Sequence, residues 1–397
     1  MLFLAEWARQ RQRRPDDTPI AYQCTGCYTA KSAVRTVAHT IADFNYEVST
    51  VKKGGRNTPT IRDIAELVGV HHSTVSRALN ADQKQKISPK VVRAVEKAAD
   101  KLGYLPNIAA STLKRNRSFA LGVLIPDITN PIFPPIIRGI QDVAEGEGYT
   151  VITANTDDDP TKERDAFRMM RGRGIEGIII ATAHLSDPTV DECIKYQIPF
   201  VLANRTIRHD DVNAVILDED CGVRAALDHL RGLGHTRIAC ISGPTDTSTG
   251  AERLESFQNF MKINELHGDL IEGTAKYTVE EGHDACKRLL NRNKPFTAIL
   301  AGNDLIALGC IDALNEAGRP VPANVSVVGA NDIPMLSRMV PALTTINTPM
   351  YKMGCQSATT LFEVINGYSN DSVVLRMQPR LVVRDSTAPP RDLNATV

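Results

Sequence analysis

The sequence predicts an α/β core of two doubly wound lobes preceded by a small, all-α helix-turn-helix headpiece. Three observations predict it. Residues 51–117 carry 14 basic against 5 acidic side chains and hold short, capped helical patterns. From residue 118 short apolar runs alternate with amphipathic stretches, the signature of parallel sheets covered by helices. The alternation lasts about 270 residues, enough for two such lobes with a ligand crevice at the strands' carboxyl ends.

The 397-residue chain has 46 basic and 46 acidic side chains, yet its charge is segregated. The remainder beyond residue 117 carries 26 basic against 36 acidic residues, so a +9 unit precedes a −10 one. A small basic unit on a large acidic one points to a polyanionic partner for the first. Cys24 and Cys27 form one CxxC, but zinc needs four ligands and no second pair stands at a suitable spacing, so neither metal nor cofactor is expected. The other six cysteines are dispersed in apolar surroundings and read as reduced thiols of the cytoplasm. No apolar run reaches membrane-spanning length, and Glu6 and Arg9 interrupt the opening Met1-Leu2-Phe3-Leu4, unlike a secretory signal.

Residues 1–57 show no sustained period and a break at Pro15-Asp16-Asp17; they are expected to be a disordered extension or a start-site artefact. Residues 58–106 read as the headpiece. Thr60 with Asp63 caps a helix over Ile61–Val68, Gly69 ends it, and a second helix fits His72–Leu79 with Val75 and Leu79 on one buried face. Ser88 caps and Pro89 opens a third, whose Val92, Val95, Ala99 and Leu102 repeat at helical spacing before Gly103. The second helix of a helix-turn-helix lies in the major groove, and here its opening residues are His71, His72, Ser73, Thr74, Ser76 and Arg77, all able to hydrogen-bond to a base or phosphate. Arg77 can pair bidentately with guanine. The adjacent histidines diverge by about 100° on a helix and do not suit one shared metal.

Residues 107–117 form a polar, basic linker or marginal helix, and residues 118–386 the core. Its strands are expected at short apolar runs such as Ala120–Ile125, Thr150–Ala154, Gly177–Ala181, Phe200–Ala203, Arg237–Ile241, Ala298–Ala301 and Val325–Gly329. Gly172-Arg173-Gly174-Ile175-Glu176-Gly177 formally matches a dinucleotide fingerprint, but it ends a helix and leads into a strand, the reverse of the required context. With no nucleophile elbow, HExxH or P-loop, an enzyme is not expected. A periplasmic sugar-binding protein would share the core but needs an export signal and no headpiece. Residues 387–397 form a tail in which Ala388-Pro389-Pro390 and the lack of a leucine heptad argue for a dimer rather than a tetramer.

The ordered segments TIRDIAELVGVHHSTVSRALN, ISPKVVRAVEKAADKLGYLPNIAASTLK, LGVLIPDITNPIF, LGHTRIACISGP, AGNDLIALG, VPANVSVVG and PALTTI resemble the lactose-repressor/galactose-repressor family of bacterial transcription regulators, from about Thr58 to Ser386. The resemblance implies a homodimeric repressor on a pseudo-palindromic operator, with a periplasmic-binding-protein-like core that closes on a carbohydrate-type effector and acts on the headpieces by allostery. It also makes Val51-Lys52-Lys53-Gly54-Gly55-Arg56-Asn57 the short lead-in before the headpiece, so that translation from Val51 would leave residues 1–50 outside the working protein. Residues 107–115 would be the hinge helix, with Asn107 and Lys114 at the DNA and Leu113 wedged into the minor groove; a helix so short folds only with its partner. The family often has Ser where His71 stands, and two extra residues sit in the 81–86 loop.

The positions matching the family's effector contacts are Phe133, Asn204, Arg253, Tyr277, Asn303 and Asn331, most of them just after expected strands. Amides, a guanidinium fork and two aromatic faces suit a sugar. In the lactose-repressor branch the positions of Asn204 and Asn331 carry aspartates that offset the arginine. With neutral amides there, Arg253 is expected to lack a partner and to favour a sugar acid or sugar phosphate; alternatively Asp127, Asp304 or Asp332 compensates, and a neutral sugar fits equally well.

Overall fold

The computed structural model describes residues 59–80, 83–104, 117–209, 211–368 and 371–391. The described residues up to 104 form one compact unit and those from 117 a second. The expectations for residues 1–57, for the linker and for the end of the tail fall outside the described residues.

In the first unit, helix α1 (Ile61–Val68) starts where its sequence signal places it. The Thr60 N–H and hydroxyl donate to the Asp63 carboxylate at 2.6 and 2.9 Å, and these bonds hold that carboxyl below its ordinary pKa. Gly69 ends the helix at φ 72°, a left-handed conformation that a side chain would strain, and so makes the turn tight. Helix α2 (His72–Ala78) stops one residue before the expected Leu79, with His71 as its N-cap accepting the Ser73 N–H at 3.3 Å. Helix α3 (Pro89–Leu102) follows a 3-10 turn at Lys84–Lys86 and ends at Gly103 in the left-handed region. Ser88 stands at its N-cap but its side chain caps nothing; the fixed φ of Pro89 supplies the start instead. Ile64, Val75 and Val95 are fully buried where the three helices meet.

The second unit has two sheets. The first takes β1 (Ala120–Ile125), β2 (Thr150–Asn155), β3 (Gly177–Ile180), β4 (Phe200–Ala203), β5 (Ala214–Leu217) and β11 (Val374–Met377), in the order β11-β5-β4-β3-β1-β2 and parallel throughout. Helices α4 (Phe133–Gly146), α5 (Pro160–Gly172), α6 (Pro188–Lys195) and α11 (Met350–Ile365) cover it. The second takes β6 (Ile238–Ser242), β7 (Ile271–Gly273), β8 (Ala298–Ala301), β9 (Ser326–Asn331), β10 (Thr344–Asn347) and β12 (Arg380–Val382), in the order β12-β10-β9-β8-β6-β7. Only β12 runs antiparallel to its neighbour, β10. Helices α7 (Glu219–Gly232), α8 (Ser248–Ile263), α9 (Val279–Asn291) and α10 (Asp304–Glu316) cover that sheet.

The chain therefore crosses between lobes three times, after β5, after β10 and after β11. Both faces of each sheet are buried, which is why the central strands read as continuous apolar runs such as Ile178-Ile179-Ile180. Close helix contacts rely on glycine: a Cβ at Gly139 of α4 would stand 2.2 Å from the Tyr351 carbonyl of α11. No helix among the described residues is long and apolar enough to cross a membrane.

Glu163, in the first turn of α5, is 3% exposed, and its Oε1 has no hydrogen-bond partner. Burial, with the nearby Asp187 charge, pushes its pKa up to about 7 from an ordinary value of 4.5. A carboxyl raised on folding contributes stability that is fully present below pH 4.5 and is lost as the pH rises through about 7. Glu163→Gln is therefore expected to stabilise the core at pH 8, by up to about 3 kcal/mol, and to change little at pH 4.5. Urea unfolding at the two pH values checks this, and equal effects at both would contradict it.

Candidate functional site

Between the two lobes lies a cavity of about 260 Å³. The carboxyl ends of the strands build its walls: Asp127 follows β1, Asp157 and Asp158 follow β2, Asn204 and Arg205 follow β4, Asn303 follows β8, and Asn331 closes β9. Helices α4 and α8 add Phe133, Thr249 and Arg253, and the turn after β7 adds Lys276 and Tyr277. All six residues expected at an effector site line this one cavity.

Local geometry explains several of these residue types. Asn204 and Asn331 have φ of 65° and 119°, and a short polar side chain tolerates such backbone better than a branched one. Asn303 is the N-cap of α10; its side-chain oxygen accepts the Ile306 N–H at 2.9 Å, which leaves the amide NH2 for the cavity. Tyr277 lies against Gly243, where a Cβ would stand 2.2 Å from its ring, and its hydroxyl is 3.2 Å from that of Thr249. Phe133 is 1% exposed and belongs to the core of the first lobe as much as to the cavity wall.

Arg253 departs from expectation. Its Nε and Nη2 donate to the Glu219 carboxylate at 2.6 and 2.9 Å, and its Nη1 donates to the Gly302 carbonyl at 2.6 Å. The guanidinium already has an anion, so the premise of an unpartnered charge that calls for an anionic ligand fails. The compensating carboxylate is none of Asp127, Asp304 or Asp332. Glu219 is the first residue of α7, 4% exposed, and burial raises its pKa while Arg253 pulls it back. Asp304 instead receives the Thr345 hydroxyl at 2.5 Å and the Ile333 N–H at 2.8 Å, and burial raises its pKa to about 6. Asp332 pairs with Arg384.

The rest of the cavity is close to charge balance. Arg205 donates to Asp158 at 3.0 Å and to the Thr182 carbonyl at 3.1 Å, Asp157 pairs with Lys162, and Asp127 accepts the Thr129 N–H and hydroxyl. Sequence reasoning missed Glu219, Arg205 and Lys276. An acidic first helical turn has a sufficient explanation in the helix dipole, so Glu219 carried no signal of a longer-range role.

In the first unit, α2 turns Val75 and Ala78 inward and leaves His72, Ser73 and Arg77 exposed, with Thr74 and Ser76 half-buried. His71 is exposed but caps the helix rather than standing on it. The Arg77 Nε donates to the Ser73 carbonyl one turn back at 3.3 Å, leaving most of its fork free. Asn107, Leu113 and Lys114 lie outside the described residues.

Comparison with known proteins places these observations. The family described as bacterial regulatory proteins, lacI family, matches residues 60–107, and the periplasmic binding protein-like domain matches residues 227–387. The ribose operon repressor of Halalkalibacterium halodurans is 32% identical over 328 residues, which cover 83% of this chain and 97% of that protein. Among solved structures, a lac repressor dimer bound to operator and the anti-inducer ONPF matches with a TM-score of 0.76 at 27% identity, over 83% of this chain and all but 1% of its own. A LacI family transcriptional regulator from Enterococcus faecium with bound ribose matches with a TM-score of 0.61 at 30% identity, over 68% of this chain and 100% of its own.

The buried pair makes a direct prediction. Glu219→Ala strands the Arg253 charge and is expected to cost the core about 3–5 kcal/mol, read as a lower urea midpoint. An unchanged midpoint would mean that solvent reaches the pair.

Proposed function

This chain belongs to the lacI family of bacterial regulatory proteins, and on that premise we propose that it is a transcriptional repressor controlled by a neutral monosaccharide. The observation that carries the ligand class is the pairing of Glu219 with Arg253 inside the cavity. Both arginines of the wall are already paired and Lys276 shares it with Asp127, Asp157 and Asp158, so the wall offers hydrogen bonds more than net positive charge, and Asn204, Asn303 and Asn331 supply donors and acceptors for hydroxyl groups. A cavity of about 260 Å³ lies just below the usual range of about 300–1,000 Å³ for ligand sites and so suits one small sugar rather than a larger ligand. The relative named a ribose operon repressor and the neighbour with bound ribose make D-ribose the first candidate.

The same reading puts α2 in the major groove of an operator in the cytoplasm, with Arg77 on a guanine and His72, Ser73 and Ser76 on neighbouring edges or phosphates. Two copies bind together. Met335 and Val340, 77% and 98% exposed around the 3-10 turn Pro334–Arg338, give a second copy an apolar surface to cover, and one structural neighbour is itself described as a dimer.

Calorimetry with neutral sugars and their matching acids, ribose and a hexose against a uronate, tests the ligand class. The neutral members are expected to bind and the acid to bind at least tenfold more weakly; tighter binding of the acid would overturn the reading. On the cognate operator, Arg77→Ala is expected to cost about 1–3 kcal/mol and to relax one base position. A loss that is uniform over all sequences and shrinks as salt rises, with the salt slope reduced by about 1, would assign Arg77 to phosphate instead.

A further inference from the structure

The positive charge of the headpiece is concentrated off its reading helix. Helix α2 carries a single Lys or Arg, Arg77, whereas α3 carries Lys90, Arg93, Lys97 and Lys101. Their spacing of three, four and four residues, at about 100° per residue, keeps all four within an arc of about 80° and draws them into one line about 16 Å long. Val92, Val95, Ala98 and Ala99, the buried residues of α3, occupy the opposite side. All four cations are exposed. Lys90, Lys97 and Lys101 make no ion pair among the described residues, and Arg93 only donates its Nε to the Pro89 carbonyl one turn back at 3.3 Å. Of the two carboxylates on the helix, Glu96 is paired with Lys84 from outside it and Asp100 flanks the line, so four cations against one remaining carboxylate leave +3.

We propose that this face of α3 is a second, sequence-independent DNA site, which holds the phosphate backbone of another duplex segment while α2 occupies the first. Helices α2 and α3 meet in a shared core through Val75 and Ala78 on one and Val92 and Val95 on the other, and each turns its polar face away from that core. The two polar faces therefore look in different directions, and a duplex lying along α2 does not also lie along the line on α3. The composition of the face selects the partner. Besides the cations, the exposed residues of α3 are Pro89, Ala94 and Asp100, so there is no aromatic ring to stack an unpaired base and no large apolar side chain to anchor a protein. A duplex needs neither. It presents roughly ten phosphates over the length of the line, and flexible lysines meet them without a fixed geometry. The inference rests on the reading of α2 as the operator-binding helix.

The test uses the full chain, an immobilised operator duplex obtained by selection from a random library, and a fluorescent duplex of unrelated sequence, at about 50 mM salt, where phosphate contacts are strong. Wild type loaded on the operator is expected to capture the second duplex, with an affinity that falls with salt at a log–log slope of about −3. The variant Arg93→Gln/Lys97→Gln/Lys101→Gln is expected to hold the operator within roughly twofold of wild type, which also shows it to be folded, and to capture the second duplex at least about tenfold more weakly. Lys97→Gln alone is expected to lower that salt slope by about 1, and it serves if the triple variant does not fold. Capture that persists in a folded triple variant, an unchanged slope in Lys97→Gln, or no capture by a wild-type chain that holds the operator overturns the inference. So does an equal loss of operator affinity in the triple variant, which would place the line on the same duplex as α2. Capture of poly-L-glutamate but not of the second duplex would make the occupant an acidic protein and overturn it too. If wild type holds no operator duplex at all, the reading of α2 falls, and the inference with it.

Discussion

The ion pair between Glu219 and Arg253 is the constraint on which the arrangement of the cleft turns. Glu219 stands where the chain has just crossed from β5 into the second lobe, and Arg253 reaches it from α8 while also holding the Gly302 carbonyl at the end of β8. Three segments are thereby fixed to one guanidinium. Taking both charges out of water costs about what their attraction returns, so the pair adds little net stability, but a misplaced crossing would leave one of them buried and alone. The pair therefore works as a check on geometry. It also sets the chemistry of the cavity, because an arginine facing a ligand with its charge already balanced acts as a donor fork and not as an anion trap.

Local signals were legible in the sequence because their physics is local. Thr60 and Asp63, three residues apart, cap α1 as read, and Gly69 turns the chain where only glycine is unstrained. The strands buried on both faces, such as Ile178-Ile179-Ile180, stand out because nothing polar interrupts them. β5 was not foreseen, since it follows β4 with no helix between them, against the alternation on which the reading rested. β7, β10, β11 and β12 were not named either, and β11 and β12 show why. They lie at sheet edges, and although Val373-Val374-Leu375 and Leu381-Val382-Val383 are β-prone, each run is short, half-exposed and cut by an arginine, so it does not stand out as the buried central strands do.

The six cleft residues were legible through resemblance, and they do line one cavity, but the charge argument built on them failed. It counted only carboxylates near Arg253 in the expected site and could not see one brought in by a crossing 34 residues away. Residue types at strand ends predict which side chains converge. They do not predict which of them are already paired, because pairing depends on the fold of the connections.

Control by a small molecule requires that it interact unequally with two states of the protein. Here the amides come from both sheets, Asn204 from the first lobe and Asn303 and Asn331 from the second, so a ligand that bonds to all three binds the closed arrangement better than an open one.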